Sequence, residues 1–234
     1  MTPRRIEAFL ATFARELGQP ARAYVTGAAA AALWGRVRPS LDVDLGVELT
    51  RKSRGGWEPV QRAIDRTTRL TGIAASVAED IDRWGMITLL DYKRTSRRYR
   101  RFGNLEVRLL HPANWAIGKL TRYLEPDVRD VVEVLRRQDI AAATVARIWG
   151  RALRASPAST AQFQFRRNVE HFFDRWGRHI WGAPFDPDAA GRAFHRAAGI
   201  QPSAARGRSQ GVGNGTVKLG QRKRVGRRRP SGKL

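Results

Sequence analysis

The sequence predicts an α+β fold that ends in a helical region and a disordered basic tail. Up to about residue 140, short apolar runs of strand length alternate with segments whose apolar residues recur at helical spacing. Residues 141–199 carry large aromatic side chains at helical spacing, which predicts helices only. Residues 201–234 are rich in Gly, Ser and Arg and bury too little apolar surface to offset the entropy of ordering them. We therefore expect three parts: 1–140, 141–200 and 201–234.

Amphipathic spacing predicts the elements that flank the central part of the sequence. Residues 4–17 form a first helix because Ile6, Phe9 and Phe13 recur on one face, and Gly18 ends it. Further helices are expected over 57–70, from His111 and from Asp127, and further strands over 73–78, 86–92 and 105–110.

The central stretch, Tyr24 to Glu48, predicts a strand, a tight turn, a short helix, a second turn and a second strand. The first strand is a short apolar run that ends at Gly27, and a run of alanines follows it. Arg38-Pro39-Ser40 forms the second turn, and the second strand then runs from Leu41 to Val47.

Two aspartates on the second strand make a candidate metal site. Residues i and i+2 of a strand point to the same face, so Asp42 and Asp44 lie side by side, while Leu41, Val43 and Leu45 face a core. Adjacent carboxylates repel and raise each other's pKa, and a divalent cation between them removes that cost. Hard cations such as Mg²⁺ prefer oxygen ligands and keep positions open for substrate phosphates.

Gly27 lies at the turn from the first strand into the short helix. A glycine at such a turn lets the backbone approach a ligand closely, and the helix behind it directs N–H groups towards that ligand. A turn able to bind phosphate thus stands beside a strand able to bind metal, a combination that suits a nucleoside triphosphate with its magnesium ions.

This stretch resembles the signature of the DNA polymerase beta-like nucleotidyltransferase superfamily. The matching pieces are Thr26-Gly27-Ala28, thirteen intervening residues and Asp42-Val43-Asp44. The resemblance implies that Asp42 and Asp44 are catalytic and bind two Mg²⁺ ions, and that Gly27 and the backbone of Ala28 bind the triphosphate. Ala28 stands where the family usually has Ser or Gly, so it keeps the backbone N–H but offers no hydroxyl.

The following segment resembles one branch of the superfamily, the abortive-infection and toxin-type nucleotidyltransferases. Their core is followed by a helix bearing Lys and then by an Asp-x-x-Asp helix start, and Lys119-Leu120-x-Arg122 with Asp127-x-x-Asp130 matches that order. The resemblance implies that Lys119 and Arg122 bind the nucleotide and that Asp127 or Asp130 is the third catalytic acid. It covers roughly residues 5–140.

Other residues are also candidates for the third catalytic carboxylate, and Asp127 and Asp130 have a structural explanation as well. Superfamily members usually carry it on a later strand, for which Asp80, Asp82 and Asp91 are candidates, although turn residues or helix caps explain these acids equally well. Asp127 also suits a helix N-cap with Asp130 as its capping-box partner, which would explain both acids without any catalytic role.

Positive charge is the other marked feature of the sequence. The net charge is +23; ten Lys and Arg lie in 201–234 with no acid, which leaves +13 for residues 1–200. Such a surface favours polyanions. Residues 93–101 read KRTSRRYRR, and we predict that Arg97, Arg98, Arg100 and Arg101 contact nucleic acid in a basic hairpin with Tyr99 as a stacking residue. The alternative is an edge hairpin that its charges protect from aggregation.

The composition narrows the function classes. The absence of cysteine excludes disulfides, zinc–thiolate sites and thiol nucleophiles, and no apolar run approaches the ~20 residues of a membrane span. We expect a cytoplasmic enzyme that uses Mg²⁺ to move a nucleoside monophosphate from an NTP to a hydroxyl of RNA, tRNA or protein. We expect it to act as a toxin or defence protein, with a cognate antitoxin or partner protein and without membrane contact. The alternative is a catalytically degenerate fold that acts as a basic nucleic-acid-binding module.

Overall fold

The computed structural model describes residues 1–35, 39, 41–50 and 56–201. Met1–Gln201 forms one compact unit. The predicted tail from residue 202 onwards lies outside the described residues, as does most of the turn predicted at 38–40. Within the described residues, no helix is long and apolar enough to cross a membrane.

A mixed five-stranded sheet is the centre of the fold, which confirms the predicted α+β class. Its strand order is β3-β2-β1-β7-β6. Strands β1 and β2 are antiparallel, β3 and β7 run parallel to β2 and β1 respectively, and β6 is antiparallel to β7. The strands are β1 (Ala21–Thr26), β2 (Asp42–Leu49), β3 (Ala74–Ala78), β6 (Arg97–Phe102) and β7 (Leu105–Leu109); β4 (Arg83–Trp84) and β5 (Ile87–Thr88) form a separate ribbon.

The two faces of the sheet differ in chemistry because side chains alternate along each strand. One face buries the apolar side chains of the three central strands, among them Val25, Val43 and Val107. The other face carries Thr26 and Asp44 as direct neighbours, and Tyr24 and Arg108 further along. The strand alternation therefore presents the two β2 aspartates on a polar face of the sheet, as predicted.

Helices flank the sheet and make up the C-terminal region. Helix α1 (Pro3–Leu17) packs against α3 (Glu58–Thr71), and α2 (Gly27–Leu33) connects β1 to β2. The remaining helices are α4 (Tyr92–Thr95), α5 (Pro112–Arg122), α6 (Glu125–Arg137), α7 (Ala142–Ala155), α8 (Thr160–Trp181) and α9 (Pro187–Ala198). Helix α8 packs on α5, α6 and α7, with Trp149 buried against Phe172 and Phe173.

Three local predictions are wrong. Leu41 is 91% exposed, because β2 begins at Asp42 and the strand alternation does not extend back to it. The strand expected over 86–92 is limited to β5, because Asp91 takes a left-handed φ of 53° and the chain enters α4. Asp127 is not an N-cap: α6 begins at Glu125 with Leu124 as its cap residue, so Asp127 lies within the first turn.

Candidate functional site

Asp42 and Asp44 line a pocket of about 330 Å³. Asp44 is the cross-strand partner of Thr26, so the end of β1 and the start of α2 form one side of this pocket. Helix α5 also lines this pocket, with residues that include Lys119 and Arg122, as does Trp84 of β4. The structure thus brings together the predicted residues Gly27, Ala28, Asp42, Asp44, Lys119 and Arg122, which lie far apart in the sequence.

Gly27 is required by its contact with Asp44. Its φ is +61°, and a Cβ atom placed on it would lie 1.8 Å from Asp44 Oδ2. A larger residue would therefore meet both backbone strain and a collision with the carboxylate. The absence of a side chain at position 27 is what allows the Asp44 carboxylate to lie against the turn.

Trp115 fixes the position of that turn. Its indole Nε1 donates to the Gly27 carbonyl oxygen at 2.8 Å, and its ring packs edge-on against Trp34 with centroids 5.2 Å apart. Helix α5 therefore anchors the start of α2 directly. Trp115 was not predicted as part of the site, because a tryptophan on an amphipathic helix has the same pattern as any core residue.

Asp44 is held in an environment that disfavours its charge. Burial, and then repulsion from Asp42, raise the pKa of Asp44, while Arg122 and Lys119 oppose the rise. A cation bound between the two carboxylates would relieve both effects. Asp42 and Asp44 therefore fit a hard divalent cation, although the described residues contain no cluster of three or more His, Cys, Asp or Glu side chains suited to a metal.

Lys119 belongs to a buried ion-pair cluster. Its Nζ donates to Asp127 Oδ1 at 2.8 Å and to Asp130 Oδ2 at 3.1 Å, and the three side chains are 4%, 2% and 3% exposed. An ammonium has three N–H donors and these bonds use two of them, while Nζ also lies 5.7 Å from the centre of the Trp115 ring. The two aspartates thus hold Lys119 in place.

Arg122 completes this cluster at the pocket. It binds Asp127 through two parallel hydrogen bonds, Nε to Oδ2 at 2.9 Å and Nη2 to Oδ1 at 3.1 Å. Burial raises the pKa of Asp127, but the bonds from Lys119 and Arg122 outweigh it, and the net shift is downward. The Arg122 side chain remains 53% exposed, so its guanidinium is accessible to a ligand.

Two polar atoms at this pocket have no partner. Among the buried side-chain nitrogen and oxygen atoms of the described residues, only Thr26 Oγ1 and Trp84 Nε1 lack a hydrogen bond, and both residues line the pocket. Trp84 can lie here because Gly118 has no Cβ, which would fall 2.6 Å from Nε1. Neither Thr26 nor Trp84 was predicted as a site residue, although Thr26 directly precedes the turn glycine in the motif.

The later acids do not join the two β2 aspartates. The neighbouring strand β3 places Ala74 beside Asp42 and Ser76 beside Asp44, and no carboxylate lies on it. Asp80 accepts a hydrogen bond from Tyr92 and pairs with Lys93, Asp82 pairs with Arg83, and Asp91 pairs with Arg94 and Arg151. None of these three acids lines the pocket. The assignment of Asp127 or Asp130 as the third acid stays a prediction.

A β-bulge divides the four predicted arginines of β6 between the two faces of the sheet. Before the bulge, Arg97 pairs with Leu109 and Arg98 with Arg108; after it, Arg100 pairs with Val107 and Arg101 with Glu106. Because of these registers, Arg98 and Arg101 lie on the polar face that carries Asp44, whereas Arg97 and Arg100 lie on the apolar face.

Tyr99 and Arg100 both contact α1. The Tyr99 hydroxyl donates to Glu7 at 2.7 Å, and Arg100 pairs with the same carboxylate at 3.0 Å. Tyr99 is thus tied to α1 through its hydroxyl and is half-buried, and its role as a stacking residue stays a prediction. The four arginines are divided between two faces and do not form one surface.

Comparison of this chain with protein-family models, with characterised proteins and with solved structures finds no match.

Proposed function

We propose that this chain is a nucleotidyltransferase, with a nucleotidyltransferase-like fold, that transfers a nucleoside monophosphate from an NTP to a hydroxyl group. The observation that carries the proposal is the meeting, in one pocket, of the paired carboxylates Asp42 and Asp44 with Lys119 and Arg122. Carboxylates suit Mg²⁺, and cationic side chains suit the triphosphate that accompanies it.

Each part of the pocket has a role in the proposed reaction. Asp42 and Asp44 would hold Mg²⁺, which when bound neutralises charge on the transferring and leaving phosphates. Lys119 and Arg122 bind the triphosphate, and Asp127 and Asp130 act through Lys119 by holding its ammonium at the pocket. The acceptor oxygen bonds to the α-phosphorus, the bond from that phosphorus to its bridging oxygen breaks, pyrophosphate leaves, and the hydroxyl proton passes to water.

The direct test is a labelling experiment. The protein is incubated with Mg²⁺, each α-labelled NTP in turn and total RNA, and the products are separated into RNA and protein fractions. Label in one fraction identifies the acceptor class, and the most effective NTP identifies the base. Absence of label in both fractions with all four NTPs would contradict the proposed transfer.

We further propose that the acceptor is RNA and that it contacts the arginines on the polar face of the sheet. The double variant Arg98→Ala/Arg101→Ala should weaken binding of single-stranded RNA, and should reduce the slope of log affinity against log salt by about 1.4, since each phosphate contact on a single strand contributes about 0.7. Fluorescence anisotropy across a salt series measures both quantities.

The matched control for this prediction is Arg97→Ala/Arg100→Ala, which removes the same charge from the same strand but on the opposite face. Affinity and salt slope should stay near wild type. Because Arg100 pairs with Glu7, thermal unfolding of both double variants must show that the protein remains folded. Equal losses of RNA affinity in the two double variants would show that RNA binding does not depend on which face of the sheet carries the arginines.

A second candidate function is a catalytically inactive, basic nucleic-acid-binding module. The absence of a carboxylate on β3 beside Asp42 and Asp44, together with Ala28 at the turn, favours it. Titration with a non-hydrolysable NTP analogue, with and without Mg²⁺, separates the two functions, because only the transferase requires Mg²⁺-dependent binding of the nucleotide.

A further inference from the structure

The two unpartnered polar atoms at the pocket point to a specific kind of ligand. Buried polar groups in native proteins are nearly always hydrogen-bonded, and one left without a partner costs free energy. Thr26 is 2% exposed, and its Oγ1 has no hydrogen-bond partner within the described part of the chain. Trp84 Nε1 is also buried without a hydrogen-bond partner, and Trp84 lines the same pocket as Thr26. These atoms share one location, which indicates partners supplied by a ligand there.

The chemistry of the two groups limits what that ligand is. An indole N–H only donates, and a threonine hydroxyl donates and accepts, so one ligand that satisfies both must present acceptor atoms. A bare cation presents none. Lys119 and Arg122 also line the pocket, and although Asp127 and Asp130 balance their charge, their N–H groups suit a ligand with several acceptor oxygens. The phosphate oxygens of a polyphosphate meet all of these conditions.

Thr26 is placed where such an oxyanion would approach the carboxylates. It is the last residue of β1, it lies opposite Asp44, and it precedes the Gly27 turn. The next two residues, Gly27 and Ala28, have no polar side-chain atom, so Thr26 provides the hydroxyl at this end of the pocket.

We infer that Thr26 and Trp84 are ligand-binding residues that donate hydrogen bonds to the phosphate oxygens of a metal-bound polyphosphate. This inference rests on the proposed function, since it takes the same pocket to bind a triphosphate. The inference goes beyond the proposed function by naming the hydrogen-bond partners of the Thr26 hydroxyl and the Trp84 N–H, which are the phosphate oxygens of the ligand.

The test uses Thr26→Val, which keeps the side-chain shape and replaces only the hydroxyl, beside Thr26→Ser, which keeps the hydroxyl, and Trp84→Phe, which removes the indole N–H with part of the ring. Thr26→Val should lower the affinity for Mg²⁺-tripolyphosphate about tenfold, because a hydrogen bond to a charged group is lost. Thr26→Ser should bind like wild type, and Trp84→Phe should show a loss similar to that of Thr26→Val. Thr67→Val is the control: this buried threonine lies in α3, its hydroxyl already donates to the Ala63 carbonyl oxygen at 2.7 Å, and its replacement should leave affinity unchanged.

A second measurement does not depend on the ligand. Because Thr26→Val removes a buried hydroxyl that has no partner, it should raise the melting temperature of the ligand-free protein by about 2–4 °C. Titration with Mg²⁺ alone should not distinguish Thr26→Val from wild type. A lower melting temperature would show that the hydroxyl is bonded without a ligand, and would overturn the inference.

The binding results separate this inference from the proposed function. If wild type binds Mg²⁺-tripolyphosphate and Asp42→Asn does not, while Thr26→Val binds like wild type, the inference fails and the proposed function stands. If wild type binds neither tripolyphosphate nor any NTP in the presence of Mg²⁺, the proposed function fails and the inference fails with it.

Discussion

Replacing Asp44 with asparagine is expected to reduce Mg²⁺-dependent nucleotide transfer by roughly a thousandfold or more. The metal's stabilisation of phosphate charge is worth several kcal/mol, and an amide oxygen is a much weaker ligand for Mg²⁺ than a carboxylate. Asp42→Asn should have an effect of the same order, because both carboxylates line the pocket. Initial rates of label transfer from the preferred NTP measure the loss.

Glu48→Gln provides the matched control, since Glu48 lies on the same strand and the same face as Asp44. It accepts a hydrogen bond from Tyr24 and pairs with Lys93, and it is not part of the pocket. Transfer should change little. Near-normal transfer by Asp44→Asn, with circular dichroism showing an intact fold, would refute metal catalysis at this pair.

The same Asp44 substitution should stabilise the cation-free protein at neutral pH. Burial and Asp42 raise the pKa of Asp44 above its ordinary value of 3.8. The folded state therefore binds more protons than the unfolded state just above pH 3.8, and stability is lost as pH rises through the raised pKa. Asp44→Asn should thus have the higher melting temperature at pH 7 without Mg²⁺, and added Mg²⁺ should stabilise wild type more than this variant.

Replacing Lys119 with methionine is expected to lower the free energy of unfolding by about 3–5 kcal/mol. Removing one partner of a buried ion pair leaves uncompensated charge, and here both Asp127 and Asp130 lose their shared ammonium. Adding Asp130→Asn to Lys119→Met should recover part of the loss by removing one of the two carboxylates that lost the ammonium, while Arg122 still pairs with Asp127. Urea denaturation of the single and double variants measures these differences.

Lys93→Met is the comparison for that experiment. Lys93 also pairs with two carboxylates, Glu48 and Asp80, but its side chain is 40% exposed. Exposed ion pairs contribute at most about 1 kcal/mol, so its loss should be small. A similar small loss for Lys119→Met would mean that water replaces the missing ammonium, and that the cluster does not hold Lys119 in place as we propose.

Much of the fold and the centre of the site could be predicted because they depend on neighbours along the chain. The helices α1 and α3, the strands β1, β2 and β7, and the placement of Asp42 and Asp44 on one face follow from side-chain periodicity, which needs no knowledge of the partner segment. The glycine turn was predictable for the same reason, since a short strand followed by Gly27 and an alanine run is a local pattern.

The remainder was decided by contacts between segments far apart in the sequence. The two-residue extent of β5, the division of the β6 arginines and the position of Trp84 against Gly118 depend on which segments pair and in which register. The sequence alone predicts that Lys119 lies on a helix. Its contact with the two buried aspartates arises only because α6 packs against α5. Periodicity specifies the face on which a side chain lies, whereas tertiary packing determines which groups it contacts. Only the folded structure therefore shows that the Thr26 hydroxyl is buried at the pocket without a hydrogen-bond partner among the described residues.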